Sequence, residues 1–217
     1  MLHLPYLSSL DLPALLASPS PSLPGLPELP VACANWKEYP YTPRVTVQIA
    51  CTPSHLLLHY DVREKSIRAK YTQPNQPVYT DSCVEFFVSP DDRQTYYNFE
   101  FNCIGTSLMR HNVRPHEGLR ATPELLATIL TRSSLGNRHF ERMEGDFAWQ
   151  LTVAIPYTCF FAHPRRDWRG QTLWANCYKC GDELSEPHYL SLFPIHSPKP
   201  NFHLPQFFQK LVVSHKS

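Results

Sequence analysis

Residues 79–102 read YTDSCVEFFVSPDDRQTYYNFEFN, and they carry the strongest secondary-structure signal in the chain. Apolar and polar side chains alternate with a period of two on either side of the turn-rich segment 89–92. Such alternation predicts two strands joined by a short connection. The predicted apolar faces consist of Val84, Phe86 and Val88 in the first strand and Tyr97, Phe99 and Phe101 in the second.

The opposite face of these two strands carries an unusual set of polar side chains. When the apolar faces are aligned on one core, the other face collects Glu85, Asn98, Glu100 and Asn102. Carboxylates and amides form bidentate hydrogen bonds with vicinal hydroxyls, and the neighbouring aromatic rings offer stacking surfaces for sugars. The simpler alternative is a solvated outer face on which Glu85 pairs with an Arg or Lys.

The composition excludes several classes of function. Of the 217 residues, 42% are hydrophobic and 18% are charged, which is typical of a globular protein. The formal net charge of +1 provides no basic field for phosphates, so nucleic acid and anionic membranes are poor partners. No Walker or dinucleotide glycine pattern occurs, and no apolar run is long enough to span a membrane.

The cysteines and the N-terminus predict a reducing compartment. The count of 7 cysteines is odd and their spacing is scattered, which argues against a disulfide framework. A signal peptide is not expected, because Lys37 is the first Lys or Arg and prolines interrupt the apolar N-terminal segment. We therefore expect a cytoplasmic protein without disulfides.

The organisation of the chain predicts an all-β sandwich. Residues 1–43 are rich in Pro, Leu and Ser without a sustained period, and we expect an irregular arm packed on a body formed by residues 44–217. One short helix is predicted at 123–131, with Thr122 as its N-cap. Many strands with turn signals at short intervals and little helix indicate two packed antiparallel sheets. Further strand-like runs occupy residues 45–49, 56–60, 67–71, 147–156, 172–180, 189–195 and 207–213.

A second candidate binding group lies in the run 172–180. There Trp174, Asn176 and Tyr178 alternate onto one face as an indole, an amide and a phenol, which suits a stacked and hydrogen-bonded ligand. The alternative is that Trp174 packs in the core.

Metal and catalytic sites are less well supported by the sequence. Cys177 and Cys180, with His188 downstream, have the spacing of half a zinc site, but no second cysteine pair occurs at finger spacing. Strand parity also points Cys177 away from Cys180, so buried thiols are the preferred interpretation. Glu85 and Glu100 have the chemistry of a glycosidase pair, but two carboxylates on one strand face more simply predict binding.

Several of these motifs together resemble the family 9 carbohydrate-binding modules. The matching segments are 79–88 (YTDSCVEFFV), 97–102 (YNFEFN), 149–156 (WQLTVAIP), 174–182 (WANCYKCGD) and 187–191 (PHYLS). The resemblance covers about residues 36–213 and is to the stand-alone branch of the family, not to modules appended to xylanases. It implies an immunoglobulin-like β-sandwich, related to the DOMON class, that binds sugar without catalysis.

The resemblance also implies roles for individual residues. Well-known members hold a reducing-end sugar between two tryptophans, with Glu and Asn side chains on its hydroxyls, and they carry structural calcium. Glu85 matches the hydroxyl-binding carboxylate, and Asn98 or Asn102 supplies the amide. The sequence departs from the pattern at Tyr79 and Leu192, which stand where the clamp tryptophans are expected. Calcium has no counterpart in the sequence, because no ordered Asp-rich ligand run occurs.

We therefore expect a non-catalytic protein that binds a mono- or oligosaccharide on a concave sheet face. The two alternatives are a sugar-active hydrolase or isomerase that uses Glu85 with a histidine, and an interaction domain whose sugar site has decayed. The predicted ligand-binding residues are Tyr79, Glu85, Asn98, Glu100, Asn102, Trp174, Asn176 and Tyr178.

Overall fold

The computed structural model describes residues 1–18, 22–114, 117–164 and 167–215. Its strands are β1 (Leu2–Leu4), β2 (Leu29–Pro30), β3 (Cys33–Ala34), β4 (Arg44–Cys51), β5 (His55–Ala69), β6 (Cys83–Ser89), β7 (Tyr96–Asn102), β8 (Ser107–Arg114), β9 (Glu117–Arg120), β10 (Leu130–Ser133), β11 (Phe140–Pro156), β12 (Thr172–Cys180), β13 (Tyr189–Ser191) and β14 (Gln209–Val213). Its helices are α1 (Leu12–Ala17) and α2 (Pro123–Leu126), and short 3-10 turns occur at Val78–Thr80, Tyr157–Cys159 and Pro205–Phe207. No helix in these ranges is both long and apolar enough to cross a bilayer.

The strands form two sheets that pack as a sandwich. A nine-stranded sheet has the order β1-β14-β12-β6-β7-β8-β9, and β13 joins it by pairing with β12 and β3. A five-stranded sheet has the order β10-β11-β5-β4-β2. Among the paired strands in the described ranges, β1 and β14 run parallel and the other pairs are antiparallel. The all-β sandwich predicted from the alternating runs is confirmed.

The core lies between the two sheets and is built from one face of each strand. The alternation predicted for β6 and β7 is confirmed, because their apolar faces are buried in this core. Trp149, Leu151, Val153 and Ile155 of β11 face them from the other sheet. The residues contributed by the central hairpin are Val84, Phe86, Val88, Tyr97, Phe99 and Phe101.

A charged pair crosses this core. Lys179 of β12 is fully buried, and its Nζ lies 2.8 Å from Oε2 of Glu64 on β5. The same Nζ donates to Nε2 of His188 at 2.8 Å and to the carbonyl of Cys180 at 2.9 Å. The indole of Trp149 donates to the other Glu64 oxygen at 2.7 Å. Burial and the Lys179 charge lower the pKa of His188 well below its usual value, so this ring is neutral and accepts from Lys179.

The N-terminal arm is more regular than the sequence predicts. Within residues 1–43, β1 extends the nine-stranded sheet, β2 extends the five-stranded sheet, and β3 pairs with β13. These strands have only two or three residues each, which is too short for a period of two to show in the sequence. Their backbone groups are satisfied by the edges of sheets formed by distant residues.

The helix predicted at 123–131 is present only in its first turn. Thr122 caps it as predicted, because its side chain accepts a hydrogen bond from the Leu125 amide. The helix ends at Leu126, and Leu130–Ser133 pairs with β11 instead. Thr128, Ile129 and Thr131 are β-branched and weak helix formers, so the pairing with β11 overrides the local helical tendency.

Candidate functional site: a cleft on the outer face of the nine-stranded sheet

A cleft of about 780 Å³ opens on the face of the nine-stranded sheet that points away from the core. This volume lies within the range of roughly 300–1,000 Å³ that is usual for small-molecule sites. Its floor is formed by β6, β7 and β8, and one wall is formed by residues 197–204, which we call the cover loop. The cleft is lined by Tyr79, Glu85, Phe87, Asn98, Glu100, Leu108, Arg110, Asn112, Arg120, Cys180, Asp182, Tyr189, Ser197, Pro198, Lys199, Pro200, Asn201, Phe202, His203 and Leu204.

Two carboxyl groups lie side by side on the floor. Glu85 and Glu100 are directly opposite each other in the β6–β7 register, and they are only 3% and 5% exposed. Burial and then the neighbouring Glu100 charge raise the pKa of Glu85 well above its usual value, and burial likewise raises the pKa of Glu100. Neighbouring buried carboxyls of this kind do not both ionise readily. The sequence pattern correctly puts Glu85 and Glu100 on the same face of the sheet. It predicts an open face there, whereas both side chains are buried.

A chain of side-chain amides orients Glu100. Nδ2 of Asn112 donates to Oδ1 of Asn98 at 2.7 Å, and Nδ2 of Asn98 donates to Oε1 of Glu100 at 2.7 Å. Two buried acceptors remain along this chain, because Oε2 of Glu100 and Oδ1 of Asn112 have no hydrogen-bond partner among the described residues. Both residues line the cleft. A buried acceptor without a donor is costly, so a ligand that brings hydroxyl groups to this floor is favoured.

Arg68 of β5 fixes the rim of the cleft. Its guanidinium bonds to Oδ1 of Asp81 at 2.9 Å, to Oε2 of Glu183 at 2.7 Å and to Oγ1 of Thr80 at 3.1 Å. Asn102, predicted as a ligand-binding amide, belongs to this network. It donates to Asp81 at 3.0 Å and to the carbonyl of Tyr71 at 2.8 Å, and it does not line the cleft. Through Asp81, Asn102 stabilises the adjoining 3-10 turn Val78–Thr80, which carries Tyr79.

Aromatic rings border the cleft, but the two expected clamp positions differ from the family pattern. Tyr79 lies at the rim and is 41% exposed, so its ring is available for stacking. Leu192 instead packs against the core between the sheets and does not line the cleft. Tyr189, which is half-buried, and Phe202 of the cover loop bring further rings to the cleft.

Three other parts of the chain cover the predicted group on β12, namely the cover loop, the segment before it and the connection between β6 and β7. The rings of Tyr178 and Phe202 stack with centroids 4.1 Å apart, and the Tyr178 hydroxyl donates to the Phe202 carbonyl at 3.3 Å. Asn176 holds the backbone of Phe193 through both its amide atoms, at 3.1 and 3.0 Å. The guanidinium of Arg93 covers the ring of Trp174, with its Cζ 3.9 Å from the ring centroid.

None of these three residues lines the cleft. The parity that places Trp174, Asn176 and Tyr178 on this face is correct, but alternation cannot reveal that a distant segment covers that part of the face.

Several cleft residues were not singled out by the sequence. Arg110 and Arg120 are directly opposite each other on β8 and β9, and Asp182 follows β12. Burial raises the pKa of Asp182 to about 6. The available signal was the alternation of Leu108, Arg110 and Asn112 with their neighbours, which is weak because both faces mix polar and apolar residues. The cover loop carries no periodic signal.

Cys177, Cys180 and His188 do not converge on one zinc site. Cys177 belongs to the core between the sheets, whereas Cys180 lies on the cleft side, as parity predicts. His188 is engaged with Lys179 inside the core. All seven cysteines are free thiols in the structure.

A model of carbohydrate-binding family 9 matches residues 24–213, which is most of the chain. The chain belongs to carbohydrate-binding family 9. Modules of this family are non-catalytic binding domains, and the predicted resemblance is confirmed.

Several solved structures are similar to this chain. A protein from Bacteroides uniformis, for which carbohydrate binding is proposed, is 38% identical with a TM-score of 0.90, and the match covers 98% of each chain. Family 9 modules from Caldicellulosiruptor kristjanssonii share the fold at 9% identity. The complex with cellotriose has a TM-score of 0.61, and the match covers 100% of this chain and 94% of that chain. The complex with glucose has a TM-score of 0.63, and the match covers 100% of this chain and 96% of that chain. No match was found among proteins with curated functions.

The calcium implied by the family resemblance can be tested against the side chains. In the described ranges, one group of three His, Cys, Asp or Glu side chains converges closely enough to hold an ion, namely Cys83, Glu85 and Cys180. Calcium takes six to eight oxygen ligands, whereas this group offers two sulfur atoms and one carboxylate. The group therefore does not suit calcium.

Proposed function

We propose that the cleft binds a mono- or oligosaccharide without chemical turnover. The observation that carries this proposal is the unpartnered Oε2 of Glu100, a buried acceptor on the cleft floor, held in place by Asn98. A sugar presents several hydroxyl donors at short spacing, and such donors would satisfy both this oxygen and Oδ1 of Asn112. Arg110, Arg120 and Lys199 add donors for the acceptor groups of the same ligand.

The arrangement of the carboxyl groups supports binding in preference to hydrolysis. A glycosidase places its two carboxyl groups on opposite sides of the scissile bond. Glu85 and Glu100 instead lie on adjacent strands of one face, so both approach a ligand from the same side. The histidine that lines the cleft, His203, is hydrogen-bonded through Nδ1 to the Tyr96 hydroxyl at 2.9 Å and supports the cover loop.

Glucose and cellotriose are the first saccharides to test, because family 9 modules of this fold have been solved with them. A thermal-shift screen of mono- and oligosaccharides should raise the unfolding midpoint for those that bind, since a ligand of the native state alone stabilises it. Calorimetry then measures Kd for each hit. If a broad screen gives no shift and no heat, the sandwich is an interaction domain; if purified protein consumes a sugar, it is an enzyme.

Tyr79 is expected to contribute a stacking contact at the rim. Tyr79→Ala should weaken saccharide binding roughly 2- to 12-fold, which corresponds to an aromatic contact of about 0.5–1.5 kcal/mol. Tyr79→Phe is the matched control, because it keeps the ring and should retain most of the affinity. Equal losses in both variants would assign the effect to the hydroxyl, and no loss in either would place the sugar away from this rim.

A further inference from the structure

Two cysteines from neighbouring strands meet on the cleft side of the sheet. Cys83 of β6 and Cys180 of β12 are directly opposite in the strand register. Glu85, two residues after Cys83, shares their face. Sγ of Cys180 lies 3.1 Å and Sγ of Cys83 lies 3.9 Å from Oε1 of Glu85, and the three ligand atoms are all within 4.8 Å of one another.

These separations suit a small tetrahedral metal ion. With metal–sulfur bonds of about 2.3 Å and metal–oxygen bonds of about 2.0–2.2 Å, adjacent ligand atoms of a tetrahedral site stand about 3.5–3.8 Å apart. The observed separations bracket this value, so only small side-chain movements are needed. Thiolate ligands select zinc and other thiophilic ions over calcium and magnesium.

The surroundings of the three residues favour a cation and allow it to enter. All three are buried, but Glu85 and Cys180 line the cleft, which gives an ion a path from solvent. Glu100 lies directly opposite Glu85, and its buried Oε2 has no partner among the described residues. Asp182, which also lines the cleft, adds a further carboxyl group.

We propose that Cys83, Glu85 and Cys180 form a three-ligand site for Zn²⁺ or a similar thiophilic ion at the floor of the cleft. Two sulfur atoms and one carboxylate oxygen supply three of four tetrahedral positions, and the fourth faces the cleft, where water or a ligand atom completes the shell. On binding, the two thiols release their protons to solvent. The site goes beyond sugar binding and does not depend on it.

The test uses the full chain, reduced and stripped of metal by a chelator, without sugar. Zn²⁺ should raise the unfolding midpoint and bind one ion per chain, and Cd²⁺ should give the ultraviolet charge-transfer band of cadmium thiolate. Cys83→Ser and Cys180→Ser should each weaken Zn²⁺ binding at least about 10-fold. Cys33→Ser, which removes a half-buried thiol outside the cleft, should leave the affinity unchanged.

X-ray absorption of the wild-type zinc complex provides a second readout that needs no variant, with two sulfur and two lighter ligands expected. The proposal is overturned if the reduced protein binds no ion, or if the Cys83 and Cys180 variants match the wild type both in Cd²⁺ affinity and in the intensity of the cadmium thiolate band. Loss of the band in Cys33→Ser alone would identify an adventitious ion at that thiol. A Cys83–Cys180 disulfide together with no metal uptake after reduction would show a redox pair instead. A failed saccharide screen leaves all of these outcomes unchanged.

Discussion

Replacing Lys179 with methionine should destabilise the folded protein by about 3–5 kcal/mol, because it leaves the buried Glu64 carboxylate without its cation. The loss should be measured as a lower urea midpoint with an unchanged m value. Lys210→Met is the matched control, since Lys210 is exposed on β14, and it should change stability by less than about 0.5 kcal/mol.

The double variant Glu64→Gln with Lys179→Met shows how much of the lost stability comes from the interaction between the two charges. Removing both charges leaves no uncompensated ion in the core, so the double variant should be more stable than Lys179→Met alone. A cost below about 1 kcal/mol for Lys179→Met would contradict this account, because Glu64 would then be satisfied without Lys179.

At pH 8, above the pKa of about 7 to which burial raises Glu100, Glu100→Gln should weaken saccharide binding by about 10- to 100-fold, which is the usual range for a hydrogen bond to a charged group. The variant keeps the shape of the side chain, so the unfolding midpoint should change little. The affinity should be measured by calorimetry with the tightest saccharide from the screen. Glu100 is chosen over Glu85 because it lies outside the proposed metal ligands, and a loss of sugar binding can then be assigned to the sugar contact.

Glu141→Gln is the matched control for this substitution, since Glu141 is exposed on β11 of the other sheet. Its affinity should equal that of the wild type. Wild-type affinity in Glu100→Gln would show that the unpartnered oxygen is not where the sugar hydroxyl binds.

The central hairpin could be predicted from the sequence because its signal is local. A period of two fixes the faces of β6 and β7, and with them the shared face of Glu85, Asn98 and Glu100. Aligning the two apolar faces excludes odd shifts of register, but it leaves Asn98, Glu100 and Asn102 as equally acceptable partners for Glu85. That Glu85 lies opposite Glu100 is a finding of the structure.

The rest of the cleft depends on contacts between distant parts of the chain. Alternation places Tyr178 on the outer face, but only the folded structure shows that Phe202 stacks over it. Asn102 shares the face of Glu100, yet its amide is used by Asp81 and Tyr71. Parity predicts the side of a sheet on which a residue lies, and it does not predict what lies above that residue.

Lys179 shows the same limit inside the core. A lysine in a strand is expected to face solvent, since an unpaired charge is very costly to bury. Its partners Glu64 and His188 lie on other segments, so nothing local in the sequence indicates that the charge is compensated.

Saccharide binding in the cleft of the nine-stranded sheet can be mapped residue by residue in solution. The measurement is a heteronuclear NMR titration of ¹⁵N-labelled protein with the tightest saccharide from the screen. We expect the amide shifts to concentrate in residues 98–100, in residues 110–112 and in the cover loop at 197–204. Shifts confined to the five-stranded sheet, with these three segments unchanged at saturation, would contradict it.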